Sequence, residues 1–284
     1  MTTIGAAWRG IRDRFRGAEL DTPELDARLL AEAAFGLDRL ALSMREGEGA
    51  SADGLARLEG YAERRLAGEP VARLLGHKEF YGLDFELNAA TLVPRPETEM
   101  LVDEALAAIG GLEAPLLLDL GTGSGCIAIA VLAHAPKARA VATELSPAAI
   151  EAARRNAVRH GVAERLSLRQ GSWCEPLMAD EIFDAVVSNP PYVETDIIGQ
   201  LAPEVGSFDP RLALDGGEDG LEAYRAIAAG LPGHLRPGAR LMIEIGSEQG
   251  IEVGALLSTA GFSQIDIKKD LAGLDRVVVA HQLG

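Results

Sequence analysis

The sequence predicts an α/β fold, in which a mostly parallel sheet is covered by helices and follows a small helical bundle and a β-hairpin. Three observations support this prediction. The N-terminal part carries helical periodicity only, a short alternating segment interrupted by a glycine comes next, and from residue 116 onward β-type runs alternate with helical runs. Such alternation is typical of a parallel sheet with helices on both faces. Ligands in this architecture bind at the carboxyl ends of the strands.

The segment before the sheet is predicted to be helical. Apolar residues at helical spacing follow the start signal Thr22-Pro23-Glu24, and a second such run begins at Ser51. Alternating apolar residues around a glycine, in the segment 80–87, predict the hairpin. The predicted organisation is a helical domain over 1–76, a hairpin linker over 77–92 and a sheet domain over 93–284.

The sheet domain is predicted to contain strands at 116–120, 140–144, 166–170, 185–188 and 241–245. Helices are predicted at 97–109, 147–159 and 221–229. The unusual motifs of this domain fall at the carboxyl ends of strands, which is where this architecture places its ligands.

Composition restricts the function classes. Of the 284 residues, 48% are hydrophobic and 25% charged, which is typical of a folded protein. The formal net charge of −16 disfavours tight binding of bare nucleic acid, because phosphate backbones are bound chiefly by clustered Lys and Arg. Cys126 and Cys174 are too few for a disulfide framework and lack the spacing of a zinc site. With only two cysteines, no secretion signal and no membrane-spanning stretch, we expect a cytoplasmic protein. The five histidines are scattered singly, so we also expect no bound metal.

A glycine-rich turn, Gly121-Thr122-Gly123-Ser124-Gly125, follows the first strand of the sheet domain. A dinucleotide fingerprint needs Gly or Ala where Cys126 stands, which disfavours a nicotinamide oxidoreductase. The spacing resembles instead the first motif of class I methyltransferases, which bind S-adenosylmethionine in a Rossmann-like fold. Asp119 is then expected near the ammonium group of the cofactor, unless it caps the turn that follows it.

Two further positions are predicted to contact the cofactor. Glu144 ends the second strand, 144 − 121 = 23 residues after the first loop glycine. A ribose-binding acid lies about 20 residues on in dinucleotide-binding folds, where its carboxylate accepts the ribose hydroxyls. Ser172 replaces the acid that many class I methyltransferases place against adenine. We therefore assign Trp173 to stacking on or walling the adenine, with a buried core tryptophan as the alternative.

The tetrapeptide Asn189-Pro190-Pro191-Tyr192, after the fourth strand, predicts the chemistry. An amide or aromatic amine nitrogen is a poor nucleophile because its lone pair is delocalised, so an enzyme must orient it. Asn189 supplies a side-chain carbonyl and Pro190 a backbone carbonyl held by proline, and these two acceptors would fix the two N–H bonds. Tyr192 offers a flat face to the planar group. A plain turn is the alternative, but two prolines directly after a buried strand favour the catalytic interpretation.

Over nearly its whole length the chain resembles the protein glutamine N5-methyltransferases that modify peptide chain release factors. Besides the glycine loop and the tetrapeptide, the resemblance rests on the segments 70–76, 92–99, 208–211 and 214–221, although Asp209 stands where the family often has Glu. It implies S-adenosylmethionine-dependent methylation of the glutamine in the Gly-Gly-Gln motif of class-one release factors, with S-adenosylhomocysteine as the second product. The helical domain would help to dock the factor.

The resemblance also implies roles for individual residues. Those expected to contact the cofactor are Gly121, Thr122, Gly123, Ser124, Gly125, Glu144, Trp173 and Asn189. Those expected to hold the glutamine are Asn189, Pro190, Pro191 and Tyr192, of which Asn189, Pro190 and Tyr192 are the expected catalytic residues. Residues 193–220 form an unusually long connection, and we hypothesise that this segment closes over the peptide.

Three alternatives stay open at this point. A glutamine methyltransferase acting on a ribosomal protein would share the chemistry and differ in its docking surface. A nucleic-acid adenine N6-methyltransferase fits the tetrapeptide, but the acidic balance and the extra family segments disfavour it. A binding module without turnover is disfavoured by the intact Asn189 and glycine loop. We expect no membrane partner and no direct sequence-specific nucleic-acid binding.

Overall fold

The structure, a computed structural model, describes residues 2–282. Packing divides the chain into two compact units: a helical unit, made of the chain up to Gly76 together with Ala202–Phe208, and a sheet unit, made of His77–Leu201 and the chain from Asp209 onward. The predicted boundaries did not place residues 202–208 with the helices. The roles given to the predicted domains stay a prediction.

The helical unit begins with α1 (Ile4–Gly17), α2 (Pro23–Phe35), α3 (Arg39–Met44), α4 (Ala52–Leu66) and α5 (Val71–Leu75). Capping side chains define several starts; the hydroxyl of Ser51, for example, accepts the backbone N–H of Gly54 at the start of α4. Phe15, Leu30 and Leu58, from three different helices, are buried together. The predicted helical bundle is therefore confirmed.

A buried ion pair holds the returning segment 202–208 within the helical unit. Nε of Arg65 donates to a carboxylate oxygen of Asp26 at 2.7 Å, and another nitrogen of the same guanidinium lies 2.6 Å from Glu204. Arg65 and Asp26 are only 4% and 5% exposed, and removing one partner of such a pair is costly because it leaves the other charge buried. Part of the long 193–220 connection is thus anchored, and its closure over a peptide stays a hypothesis.

The sheet unit opens with the antiparallel hairpin β1 (His77–Phe80) and β2 (Leu83–Glu86). The elements that follow are α6 (Glu99–Ile109), β3 (Leu116–Leu120), α7 (Cys126–His134), β4 (Arg139–Glu144), α8 (Pro147–Arg159), β5 (Leu166–Gln170), β6 (Phe183–Ser188), the helical-unit segment α9 (Pro203–Gly206), α10 (Glu222–Gly230), β7 (Leu235–Glu244), α11 (Gly250–Thr259), β8 (Phe262–Lys269) and β9 (Asp275–Gln282).

The strands of the main sheet are ordered β5-β4-β3-β6-β7-β9-β8. Neighbours from β5 to β7 pair in parallel, whereas β9 pairs antiparallel with both β7 and β8. Leu117, Leu118 and Leu120 of the central strand β3 are fully buried, as expected where helices cover both faces. The predicted Rossmann-like α/β fold is confirmed.

The chain reverses its direction across the sheet between β3 and β6. After β3 it moves outward through β4 and β5, and it then returns to place β6 on the other side of β3. Leu120 is paired with Ser188, so Gly121 and Asn189 leave adjacent strands at the same level. Open α/β sheets bind ligands in the crevice at such a point.

The strands β3 and β5 match the predicted bounds, and β4, β6 and β7 begin earlier than predicted. The last two strands, β8 and β9, were not predicted. Within residues 2–282, no helix combines the length and apolar character needed to cross a membrane.

Candidate active site

A cavity of about 360 Å³ lies at the carboxyl ends of β3, β4, β5 and β6. This volume is in the range of small-molecule sites. The predicted site residues that line it are Gly121, Thr122, Gly123, Ser124, Glu144, Trp173, Asn189 and Pro191. The predicted site residues Gly125, Pro190 and Tyr192 do not belong to its lining. The structure therefore brings the glycine loop and two residues of the tetrapeptide, Asn189 and Pro191, to one cavity.

The glycine loop presents bare backbone to this cavity. Gly121 and Gly123 have φ of +73° and +57°, in the left-handed region that favours glycine. The N–H groups of Gly121 and Thr122 both donate to the carbonyl of Thr143, at 2.9 and 3.0 Å. These bonds tie the turn to the end of β4, so that the loop backbone forms a fixed wall.

Gly125 has a packing role instead of a lining role. Its φ is +82°, and an added Cβ would lie 2.7 Å from the Ile129 side chain and 3.2 Å from that of Ala153. Gly125 thus packs the loop closely against α7 and α8, and its contact with the cofactor stays a prediction.

The buried side chain of Asn156, in α8, supports the loop from behind. Its Nδ2 donates to the carbonyls of Ser124 at 2.9 Å and Glu86 at 3.0 Å, while its Oδ1 accepts the Glu86 N–H at 2.8 Å. These bonds connect the loop, through Ser124, to the hairpin strand β2, through Glu86. Leaving the buried amide unpaired would cost about 1–3 kcal/mol, which favours keeping all three bonds.

Glu144 lines the cavity at the end of β4 and is held from both sides. One carboxylate oxygen accepts the Gly123 N–H at 2.9 Å and the other accepts the Ser146 N–H at 2.8 Å. Each carboxylate oxygen has further acceptor capacity. The side chain is thus fixed in place with lone pairs left for the two hydroxyls of a ribose, and that role stays a prediction.

Trp173 forms another wall. Its backbone is left-handed, with φ of +46°, and its indole packs against a hydrophobic core to which α10 contributes. A Cβ built on Gly121 would lie 3.3 Å from the indole ring, so glycine lets the ring pack closely on the loop. Ser172 also lines the cavity, and its N–H donates to Glu175 at 3.3 Å. Cavity wall and core packing, which the sequence left as alternatives, are both present.

Asp119 takes the capping role. Its carboxylate is fully buried, accepts the Thr122 hydroxyl at 2.6 Å and accepts the Ala128 N–H of α7 at 3.3 Å. Burial raises the pKa of this carboxyl to about 6. Asp119 does not line the cavity, so it shapes the loop from within the protein.

Asn189 belongs to a chain of hydrogen bonds that leads to a buried carboxylate. Its Nδ2 donates to the hydroxyl of Thr98 at 3.2 Å, and that hydroxyl donates to the carboxylate of Glu244 at 2.7 Å. Asn189 and Thr98 line the cavity, while Glu244 ends β7 and is 1% exposed. Burial raises the pKa of Glu244 to about 7.

The rest of the tetrapeptide is fixed by Gln249. The Nε2 of this side chain donates to the carbonyls of Tyr192 at 3.1 Å and Gly220 at 3.3 Å, while its Oε1 accepts the Gly246 N–H at 2.9 Å. Burial raises the pKa of the Tyr192 hydroxyl to about 12, so this side chain stays protonated and neutral. Pro190 is buried. The backbone around the two prolines is therefore tied at both ends.

The segment before α6 closes one side of the cavity through Leu92, Pro94 and Thr98. The carboxylate of Asp209 holds it, because Arg95 donates to that carboxylate at 2.8 Å and the Val93 N–H does so at 3.4 Å. Asp209 is 7% exposed. The shorter acid at this position thus makes an ion pair within the sheet unit.

The sequence interpretation missed Thr98, Glu244 and Gln249. Glu244 is an acid within the apolar run 241–245, and that outlier was the available signal. Thr98 and Gln249 carried no comparable signal. Cys126 also lines the cavity, and burial raises the pKa of its thiol to about 12, so it is not a thiolate nucleophile. Within the described residues, no group of three or more His, Cys, Asp or Glu side chains is arranged to hold a metal ion.

Comparison with known proteins adds two family matches. The family model of the PrmC N-terminal domain matches residues 6–76, and that of the methyltransferase small domain matches residues 98–202.

Full-length relatives are similar throughout. A protein of Caulobacter vibrioides named release factor glutamine methyltransferase is 43% identical over 98% of this chain and 96% of its own length. Proteins with the same name from Geobacter sulfurreducens and Moorella thermoacetica are 43% and 40% identical and cover 98% and 99% of both chains, respectively.

Solved structures share the fold at low identity. The hMettl16 catalytic domain in complex with MAT2A 3'UTR hairpin 6 superposes with a TM-score of 0.60 at 17% identity, over 78% of this chain and 82% of that one. A methyltransferase from Pyrococcus furiosus gives 0.52 at 18% identity, over 80% of this chain and 100% of that one.

Proposed function

The chain belongs to the family of release factor glutamine methyltransferases, and from that premise we propose that it methylates the side-chain amide nitrogen of the glutamine in the Gly-Gly-Gln motif of class-one release factors. S-adenosylmethionine would be the methyl donor and S-adenosylhomocysteine the second product. The observation that carries the proposal is that Asn189 lines the same cavity as the glycine loop and Glu144. The cavity can therefore hold the cofactor beside the nitrogen atom that receives the methyl group.

The cavity fits this cofactor. The glycine loop offers backbone without side chains, the Glu144 carboxylate offers acceptors at the end of β4, and the Trp173 indole offers a flat wall. We assign the ribose to Glu144 and the adenine to Trp173, with Gly121 and Gly123 facing the amino acid end. When bound, the cofactor supplies an electrophilic methyl group on its sulfonium.

The tetrapeptide would orient the glutamine. Oδ1 of Asn189 and the carbonyl of Pro190 accept the two N–H bonds of the amide, which turns the nitrogen lone pair toward the methyl group. Tyr192 covers the flat face of the amide. The rate acceleration would come from holding the reacting atoms in line. The nitrogen would release its proton after the methyl group has been transferred.

The choice of protein substrate is supported by the full-length relatives and by the match of residues 6–76 to the PrmC N-terminal domain. We propose that the helical unit docks the factor. A glutamine of a ribosomal protein is the second candidate substrate, because its methylation would use the same catalytic site and differ only in docking. The likeness to the hMettl16 catalytic domain is at 17% identity and speaks for the fold alone.

A labelling panel tests the proposal. The purified chain is incubated with methyl-labelled S-adenosylmethionine and, separately, with a class-one release factor, a set of ribosomal proteins, DNA and RNA. We expect label in the factor only, and none in a factor whose Gly-Gly-Gln glutamine is replaced by alanine. Label in a ribosomal protein alone would overturn the substrate assignment, and label in nucleic acid alone would overturn the glutamine chemistry.

A further inference from the structure

The carboxylate of Glu244 lies at the end of a relay to the catalytic amide. It is 1% exposed, accepts the Thr98 hydroxyl at 2.7 Å, and that hydroxyl accepts the Nδ2 of Asn189 at 3.2 Å. The Asn189 amide also lies close enough to Glu244 to lower the pKa of that carboxyl. Thr98 and Glu244 are 146 positions apart, so the fold builds this contact from distant segments.

The relay has a defined direction. An ionised carboxylate accepts hydrogen bonds and cannot donate them, so the Thr98 hydroxyl must give its proton to Glu244. The oxygen of Thr98 is then left as an acceptor, and only the Nδ2 end of the Asn189 amide can bond to it. The two ends of an asparagine amide have nearly the same shape, so hydrogen bonding decides which end faces which way.

We propose that Glu244, acting through Thr98, is a positioning residue that keeps the Oδ1 end of Asn189 available to accept the N–H of the substrate amide. The proposal rests on the proposed function, because it assigns a direction to the same asparagine. If the Asn189 amide were flipped, its Nδ2 group would point its N–H bonds at the N–H bonds of the substrate amide, and the two donors would repel each other.

Protonation of Glu244 would release this control. Burial, followed by the charge of Glu97, raises the pKa of Glu244 to about 7, while Thr98, Arg276 and Asn189 lower it. Its charge also acts on the buried groups Tyr192, Tyr224 and Cys126. A neutral Glu244 can donate to Thr98, whose hydroxyl can then donate to Oδ1 of a flipped amide. Turnover should therefore rise with pH through the pKa of Glu244.

The test compares substitutions along the relay. Glu244→Gln keeps the shape and allows donation toward Thr98; Thr98→Val removes the hydroxyl, and Thr98→Ser keeps it. Glu248→Gln, at an exposed acid nearby, is the matched control. For each variant, kcat and KM are measured with the release factor, the Kd is measured for S-adenosylhomocysteine, and kcat is followed from pH 6 to pH 9.

We expect Glu244→Gln and Thr98→Val to lower kcat by about tenfold or more, with KM and the cofactor Kd changed less than about threefold. Thr98→Ser should keep most of the activity, and Glu244→Gln should lose the rise of kcat with pH. An unchanged kcat in Glu244→Gln, or equal loss in Thr98→Ser and Thr98→Val, would overturn the proposal.

A readout without turnover separates this inference from the substrate assignment. In the 15N-labelled protein, the side-chain NH2 signal of Asn189 is identified by its loss in Asn189→Ala. We expect slow hydrogen exchange of this NH2 in the natural protein and faster exchange in Glu244→Gln. Unchanged exchange would overturn the relay even if the factor is methylated, whereas a protein that methylates no factor but shows the expected exchange would overturn only the proposed function.

Discussion

The sharpest prediction concerns Glu144→Ala and the affinity for S-adenosylhomocysteine. In the structure the carboxylate accepts backbone N–H groups of Gly123 at 2.9 Å and Ser146 at 2.8 Å, and its remaining lone pairs are assigned to two ribose hydroxyls. A hydrogen bond to a charged group contributes about 1.5–3 kcal/mol, and water replaces part of what is lost. We therefore expect about 2–4 kcal/mol less binding free energy, which is about a 30- to 1000-fold increase in Kd.

Isothermal titration calorimetry measures this change directly. Glu144→Gln should lie between the natural protein and Glu144→Ala, because it keeps one acceptor oxygen but turns an NH2 group toward a backbone donor. Glu151→Ala, at an exposed acid of α8, is the control and should bind as the natural protein does. If Glu144→Ala raised Kd by less than about threefold while remaining folded, the ribose assignment would be wrong.

Further substitutions test other parts of the account. Asn189→Ala should lower kcat by about 100-fold or more while the cofactor Kd changes little, because the lost acceptor acts on the substrate nitrogen; equal losses in both constants would contradict its role. Gly125→Ala should cost about 2–4 kcal/mol in urea unfolding, since it combines φ of +82° with a 2.7 Å contact to Ile129. Gly123→Ala, with φ of +57° and open space, should cost about 1–2 kcal/mol, and equal costs would argue against tight packing. Burial raises the pKa of Glu244 from 4.5 to about 7, so its contribution to stability is present below about pH 4.5 and is lost as pH rises through about 7. Glu244→Gln should therefore gain Tm relative to the natural protein between pH 5 and pH 8, and a constant difference across that range would exclude this titration.

Much of the fold follows from local sequence. The apolar run Leu116–Leu120 ends at glycines, and it forms a buried strand with the predicted bounds. Ser146 and Pro147 open α8 as a cap and a first residue, and the predicted helix also has the observed bounds. Such elements carry their own periodicity and end signals.

The parts that could not be predicted depend on tertiary pairing. In β8, exposed polar residues such as Gln264 and Asp266 interrupt the apolar ones, and its partner β9 inserts between β7 and β8. No local pattern states which strands will be neighbours. Likewise, residues 202–208 belong to the helical unit, where Glu204 forms an ion pair with the buried Arg65. The local sequence around Glu204 does not indicate this distant partner.

The candidate site shows the same division. The glycine loop, Glu144 and Asn189 were placed from motif spacing, since the carboxyl ends of parallel strands meet at one edge. The chain of hydrogen bonds from Asn189 through Thr98 to Glu244 could not be predicted, because Thr98 and Glu244 are far apart in the sequence. Asp119 was expected either near the cofactor ammonium or as a cap of the following turn, and the structure shows its hydrogen bond to Thr122 in that turn.

The most direct test of the central claim is a crystal structure of the chain with S-adenosylhomocysteine and a peptide that contains Gly-Gly-Gln. We predict that the glutamine side-chain nitrogen lies about 3 Å from both Oδ1 of Asn189 and the carbonyl oxygen of Pro190, beside the cofactor sulfur. A glutamine amide bound away from these two oxygens, or turned so that its own oxygen faces them, would contradict the account.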